Sequence, residues 1–266
     1  MEAGEALTPS RLDAARRDGS GRDGSRRDGS GRDGSRRDGS DRDGSRRDGT
    51  GRDGGREAGL PYAATALATR PLLRGALRLR VVAAERIPAG GPLVVVANHE
   101  SNLDGFALIA AFGERRLCFL AAAHLFERPA VGRYLRAIGA LPVEEDAANL
   151  QSFKRALATL RGGGTVAVFP KGGIGGDEVQ GGAAYLALKT EATLLPVHLA
   201  GTAAVWPPRR AWPRPAAITV RIGRPERARS LANGSSTTRL AVAEVNTAIE
   251  RLLDETRAAG IRPLPS

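Results

Sequence analysis

One cysteine and three histidines in 266 residues leave little from which to build metal or redox chemistry. The lone Cys118 sits in an apolar run and excludes both an internal disulfide framework and a cysteine-based zinc site. Aromatic residues make up only 4% of the chain and no nucleic-acid-binding motif accompanies them, so nucleic acid is set aside as a partner. No apolar run reaches the roughly 18 residues that a bilayer-spanning helix needs. The N-terminus lacks the hydrophobic core of a signal peptide, which points to a cytoplasmic chain. A Gly-x-Ser-x-Gly elbow is also missing, which leaves an α/β hydrolase without its nucleophile.

What the chain does have is positive charge, +11 overall. Its placement matters more than its size. Residues 58–266 hold 26 Lys and Arg against 16 Asp and Glu, so the excess belongs to the part with a core. A surface of this sign suits anionic lipid, a phosphorylated substrate or an acidic carrier protein.

Residues 1–57 read as a disordered tail. From residue 16 to 56 they repeat a five-residue unit, as in Gly21-Arg-Asp-Gly-Ser25 and Arg26-Arg-Asp-Gly-Ser30. The unit has no apolar side chain to offset the entropy of ordering the chain. A solenoid repeat needs an apolar face, and this one has none. The arginine beside each aspartate cancels the charge that a calcium ion would need.

Residues 58–266 read as one α/β domain. Candidate strands are Leu79–Ala84, Leu93–Ala97, Leu117–Ala122, Thr165–Phe169, Leu194–Ala200 and Ala217–Gly223. Helical periodicity fills the gaps at Gly105–Phe112, Ala130–Ile138, Asn149–Leu160 and Gly182–Ala192, with a last helix from about Thr238 to Ala259. Strand-helix alternation predicts a mostly parallel central sheet with helices on both faces. Before it, residues 60–79 place Arg70, Arg74 and Arg78 on one stripe of a helix. Two readings stay open for this segment: a helix lying in a membrane interface, or one packed on the domain. Pro71 is expected near its start.

The chemistry concentrates in Leu93-Val-Val-Val-Ala-Asn-His-Glu-Ser-Asn-Leu-Asp104. A buried-strand run breaks into a polar turn carrying His99, with Asp104 five residues on. In a continuous helix the two side chains would stand about 7 Å apart along the axis and point roughly 140° away from each other. They meet only if a turn follows the strand and Asp104 opens the next helix. Such a pair at the carboxyl end of a strand suits general-base catalysis, the carboxylate fixing the imidazole tautomer. In the structural alternative, Asn98 and His99 are turn residues and Asp104 is a helix N-cap.

Four ordered blocks resemble a known family. Asn98-His-Glu-Ser-Asn-Leu-Asp104, with its approach from Gly90, is similar to the first motif of the glycerolipid acyltransferases related to 1-acyl-glycerol-3-phosphate acyltransferase. Phe119-Leu-Ala-Ala-Ala-His-Leu-Phe-Glu-Arg-Pro, running on to Ile138-Gly-Ala-Leu-Pro-Val143, resembles the second. Val168-Phe-Pro-Lys-Gly172 sits where the family has Phe-Pro-Glu-Gly-Thr-Arg, and Gly181–Lys189 resembles the helix that follows. Leu195-Pro-Val-His-Leu-Ala-Gly-Thr202 resembles the fourth. The likeness spans about residues 70 to 225.

The resemblance implies transfer of an acyl group from coenzyme A or acyl carrier protein to a lysolipid hydroxyl, with the thioester as cosubstrate and no cofactor or metal. His99 would be the general base and Asp104 its orienting partner. Asn98, Ser101, Lys171, Gly172 and Gly173 would contact substrate, and His124, at a family position that is often basic, is a further candidate for such a contact. The resemblance also implies work at the inner face of the cell membrane, against anionic lipid. The chain departs from the pattern in two places. Lys171, Gly173 and Ile174 replace Glu, Thr and Arg of the third block, and Glu144, Glu145 and Asp146 follow Val143 where a phosphate-binding Arg is usual. A carboxylate cluster repels a phosphate, which leaves other lysolipid acceptors open, as well as a catalytically idle lipid-binding relative. Lys171 on the loop Gly172-Gly-Ile-Gly-Gly176 restores one positive charge on backbone that approaches anions closely, unless the loop is only a turn. His198, inside an apolar strand, reads as a core residue. Trp206 and Trp212, among Pro207, Pro208 and Pro213, read either as a lipid-touching loop or as a plain surface loop.

Overall fold

Leu93–Ala97 forms β2, five buried residues in a row at the middle of the sheet. Alternation along it explains the architecture. Leu93, Val95 and Ala97 enter one apolar layer, while Val94 and Val96 enter the layer on the opposite face. A strand buried on both sides needs a helical cover on both sides. The structure, a computed structural model, describes residues 59–143, 150–174, 176, 179–207, 212–234 and 238–260. The repeat tail and the acidic residues Glu144, Glu145 and Asp146 lie outside these.

The other strands are β1 (Arg80–Val82), β3 (Leu117–Ala122), β4 (Leu141–Val143), β5 (Thr165–Val168), β6 (Thr193–Ala200), β7 (Thr219–Ile222) and β8 (Glu226–Arg227). They lie in the order β1-β7-β6-β2-β5-β3-β4, with β8 beside the start of β6. From β6 through β4 every pairing is parallel. β7 runs antiparallel to β6 and carries β1 parallel to itself. The mixed, mostly parallel α/β fold read from the sequence is the one present. β4 was not among the expected strands; Pro142 lacks an amide donor, which a strand at the sheet edge such as β4 tolerates.

Helices α1 (Gly59–Gly75), α2 (Asp104–Phe112) and α4 (Pro129–Ile138) serve the first layer, with the short α3 (Ala123–Glu127) before α4. The second layer is covered by α5 (Leu150–Arg161), α6 (Gly182–Thr190) and α9 (Thr238–Ala258). The short helix α7 (Thr202–Val205) connects β6 to β7, and α8 (Ala228–Leu231) leads from β8 to α9. In α9, Val245, Ile249, Leu252 and Leu253 are buried as the periodicity requires, whereas Leu240 near its start is exposed.

α1 is docked on the domain through Tyr62, Ala66 and Leu73. The Tyr62 hydroxyl accepts a hydrogen bond from the Leu117 amide at 3.0 Å. Pro71 stands well inside this helix rather than at its start. The carbonyl that loses its partner belongs to Leu67, on the exposed side of the helix. Arg78 lies beyond the helix end, so the stripe reduces to Arg70 and Arg74. The outer side of the helix exposes Leu60, Leu67 and Leu72.

Candidate active site

β2, β5 and β6 are adjacent and parallel, so their carboxyl ends share one edge of the sheet. At that edge β2 stops at Ala97, the chain turns, and α2 begins at Asp104. The Asp104 carboxylate folds back into the turn. Its Oδ2 accepts the amides of Glu100 at 2.7 Å and Ser101 at 2.8 Å, and lies 2.9 Å from His99 Nδ1. These amides precede the helix, so Asp104 closes the turn and is not an N-cap. It is fully buried, and its Oδ1 has no hydrogen-bond partner among the described residues.

An ionised carboxylate only accepts hydrogen bonds, so Nδ1 must carry the proton. That leaves the Nε2 lone pair of His99 free. The ring is held from a second side by Phe169, stacked at 4.0 Å between centroids and 14° between planes. Phe169 follows β5, which pairs with β2 in the register Val96 to Val168. The His99 side chain is 21% exposed. An imidazole fixed in tautomer and plane, with one nitrogen open, is the arrangement of a general base.

The Asn98 side-chain amide is taken up by the protein itself. Its Nδ2 donates to the Leu199 carbonyl at 2.9 Å and to Glu100 Oε1 at 3.1 Å, and its Oδ1 accepts the Leu199 amide at 2.7 Å. It continues the β2–β6 ladder beyond the last strand pair and positions His99 next to it. Ser101 also departs from the expected substrate contact, because it is fully buried. Its hydroxyl donates to the Trp206 carbonyl at 2.6 Å and accepts the Leu103 amide at 3.1 Å. Both polar residues build the turn.

Lys171 is exposed two residues beyond Phe169, and Gly172 and Gly173 follow it. The Gly172 amide bonds the Phe169 carbonyl at 3.0 Å, making a tight turn with φ +77° at Gly172. Gly176 returns so close that a Cβ there would lie 1.8 Å from the Lys171 carbonyl oxygen. Residues 171–173 therefore form a tight turn that exposes Lys171 and is tied to the backbone carbonyl of Phe169, whose ring stacks on His99. His124 is exposed on α3, after β3.

His198 is not a core residue. It is half-buried and faces an open cavity with Arg221 and Arg257. Burial pushes its imidazole below the usual range, the Glu100 carboxylate opposes this, and Arg257 and Arg221 add to it. Trp212 is exposed, whereas Trp206 packs against the first apolar layer. Sequence reasoning placed no role on Phe169. Its place beside His99 depends on β5 lying next to β2, although the two are some 70 residues apart in the chain.

Fold and site together define an α/β protein with a carboxylate-oriented imidazole at the rim of a parallel sheet. A family model described as acyltransferase matches residues 78–200. A 1-acyl-sn-glycerol-3-phosphate acyltransferase of Bacillus subtilis is 28% identical over 142 residues, 53% of this chain and 70% of that protein. The chloroplastic enzyme LPAT1 of Arabidopsis thaliana, with the same activity in its name, is 27% identical over 137 residues, 49% of this chain and 38% of its own length. The crystal structure of the acyltransferase PlsC from Thermotoga maritima shares the fold at a TM-score of 0.57, with 22% identity over 79% of this chain and 85% of that one. Residues 78–200 are thus similar to the acyltransferase family, and the fold is the one seen in PlsC. The chain spans about two fifths of the chloroplastic relative's length.

Proposed function

We propose that the domain of residues 58–266 transfers a fatty acyl group from a coenzyme A or acyl carrier protein thioester to the free hydroxyl of 1-acyl-glycerol-3-phosphate, in phospholipid synthesis. The observation that carries this reading is the fixed His99 ring, bonded through Nδ1 to a buried Asp104, with no hydrogen bond at Nε2 among the described residues. In the reaction the acceptor hydroxyl attacks the thioester carbon while His99 Nε2 takes its proton. The C–S bond breaks, the sulfur leaves, and the proton passes from Nε2 to the departing thiolate. Asp104 stabilises the imidazolium between the two steps. General-base assistance of this kind is worth about 10²–10⁴ in rate. The names of the B. subtilis and A. thaliana relatives support the acceptor.

The reaction takes place at the cytoplasmic face of an anionic membrane, with the chain bound peripherally. The outer side of α1, with Leu60, Leu67 and Leu72 beside Arg74, has the composition of an interfacial helix. No described helix is long and apolar enough to cross a membrane. Lys171, exposed on its turn, supplies positive charge toward an anionic acceptor.

The test is thiol release from an acyl thioester by the full chain, with and without lysophosphatidate. Release that requires the acceptor and vanishes in His99→Ala is expected. Equal release without acceptor, or retained transfer in the variant, overturns the reading. Because Lys171 replaces an acid of the family pattern, other lysolipids belong in the same screen. Exclusive use of one of them moves the acceptor and leaves the chemistry. Flotation with anionic liposomes at low and high salt tests the membrane part, which predicts binding that weakens with salt.

A further inference from the structure

Successive residues of β6 face opposite ways. Leu195, Val197 and Leu199 enter the first apolar layer, and His198 stands on the other side of the sheet. β7 is antiparallel to it with His198 opposite Arg221 and Ala200 opposite Thr219. Directly paired side chains share a face with Cβ atoms about 5 Å apart. The end of α9 brings Arg257 and Gly260 over this pair. Together these six residues line an open cavity of about 380 Å³. A Cβ at residue 260 would lie 3.0 Å from Arg221 Nε, so glycine leaves the guanidinium its room.

The charges do not balance. Two guanidinium groups and an imidazole face one space, and neither arginine forms an ion pair with a described carboxylate. Two guanidinium charges turned into one space repel one another unless a counter-charge joins them. The position of Arg257 in the last turn of α9 suits the helix dipole. That does not account for Arg221 and His198, which come from the sheet. The cavity also adjoins the catalytic turn. Leu199, next to His198, is the residue clamped by Asn98, and Glu100, beside His99, acts on the His198 imidazole.

We propose that this cavity is a phosphate-binding subsite, distinct from the His99–Asp104 pair, in which Arg221, Arg257 and His198 hold one phosphate group. A phosphate occurs on the lysolipid acceptor, on coenzyme A or carrier-bound pantetheine, and as the free ion. Only the choice among these rests on the acyltransferase reading. The groups facing His198 are Glu100 from the β2–α2 turn, Arg221 from β7 and Arg257 from α9. Burial keeps the empty imidazole neutral near pH 7, and a bound phosphate draws a proton onto it. Affinity therefore rises as pH falls and weakens as pH rises through the imidazole range.

Three histidines make the imidazole NMR signals of the full chain easy to assign. Titration with inorganic phosphate should shift the His198 signals saturably, more tightly at acid than at alkaline pH. Arg221→Gln and Arg257→Gln, checked for folding by circular dichroism, should each weaken this at least about tenfold. His198→Gln should keep binding but lose the tightening at acid pH, leaving only the pH dependence of phosphate's own second ionisation. If the arginine variants also raise the KM for the acceptor alone, the phosphate is the acceptor's; a rise for the thioester alone assigns it to the donor; neither rise leaves the free ion as ligand. No saturable shift in the wild-type chain, with both KM values unmoved in the variants, overturns the proposal. The titration decides this even if the chain proves to transfer no acyl group.

Discussion

Asp104→Asn separates the charge of the carboxylate from its role as a scaffold. The amides of Glu100 and Ser101 require an acceptor where Oδ2 lies, so the new side chain should turn its oxygen to that place. The oxygen still accepts from His99 Nδ1, and the tautomer is kept. What is lost is the ionised partner of the imidazolium. A hydrogen bond to a charged group contributes about 1.5–3 kcal/mol, so turnover should fall roughly 10- to 150-fold. The amide NH2 then occupies the buried Oδ1 position, where no described acceptor waits, at a stability cost of about 1–3 kcal/mol. Asp104→Ala differs, because it strips both amides of their acceptor and should cost about 2–6 kcal/mol. The assay is acceptor-dependent thiol release at saturating substrates, with denaturant unfolding of each variant alongside. An Asn variant within twofold of wild type at equal folded fraction would refute the charge role. Equal stability of the Asn and Ala variants would refute the scaffold role.

Other substitutions probe the supports around the ring. His99→Ala should abolish transfer while the unfolding transition moves little, since the ring is partly exposed and its loss leaves a solvent-filled gap. Phe169→Leu keeps an apolar contact but removes the stacked ring; an aromatic pair contributes about 0.5–1.5 kcal/mol, so kcat should drop roughly 2- to 13-fold with KM nearly unchanged. A KM effect alone would place Phe169 at the substrate instead. Asn98→Ala leaves the Leu199 amide unpaired and should lower stability by about 1–3 kcal/mol, read from the urea midpoint. Gly176→Ala forces a Cβ against the Lys171 carbonyl and must reopen the loop. If Lys171 serves the acceptor, this variant and Lys171→Ala should raise the acceptor KM together, and unchanged values in both would remove the loop from the site.

The local record in the sequence was strong where periodicity was strong. The run Leu93–Ala97 and the breaks around it were enough to place β2, because β-branched residues buried on both faces leave no helical alternative. The requirement that His99 and Asp104 meet across a turn also followed from side-chain direction alone, and the turn is there. Residue type was a poorer guide to what each polar group touches. Ser101 and Asn98 carry groups that suit a ligand, yet the backbone of Trp206 and Leu199 takes them up. Those partners lie about a hundred residues further along the chain, and only the packing of β6 against β2 brings them near. Phe169 behind His99, and His198 with Arg221 and Arg257 around one cavity, are likewise products of strand order and of the end of α9 reaching the sheet. Periodicity records which way a residue faces within its own element, so it indicated most of the elements and the meeting of His99 with Asp104. Which neighbours each face meets depends on how distant segments are stacked, and that was decided only in the folded chain.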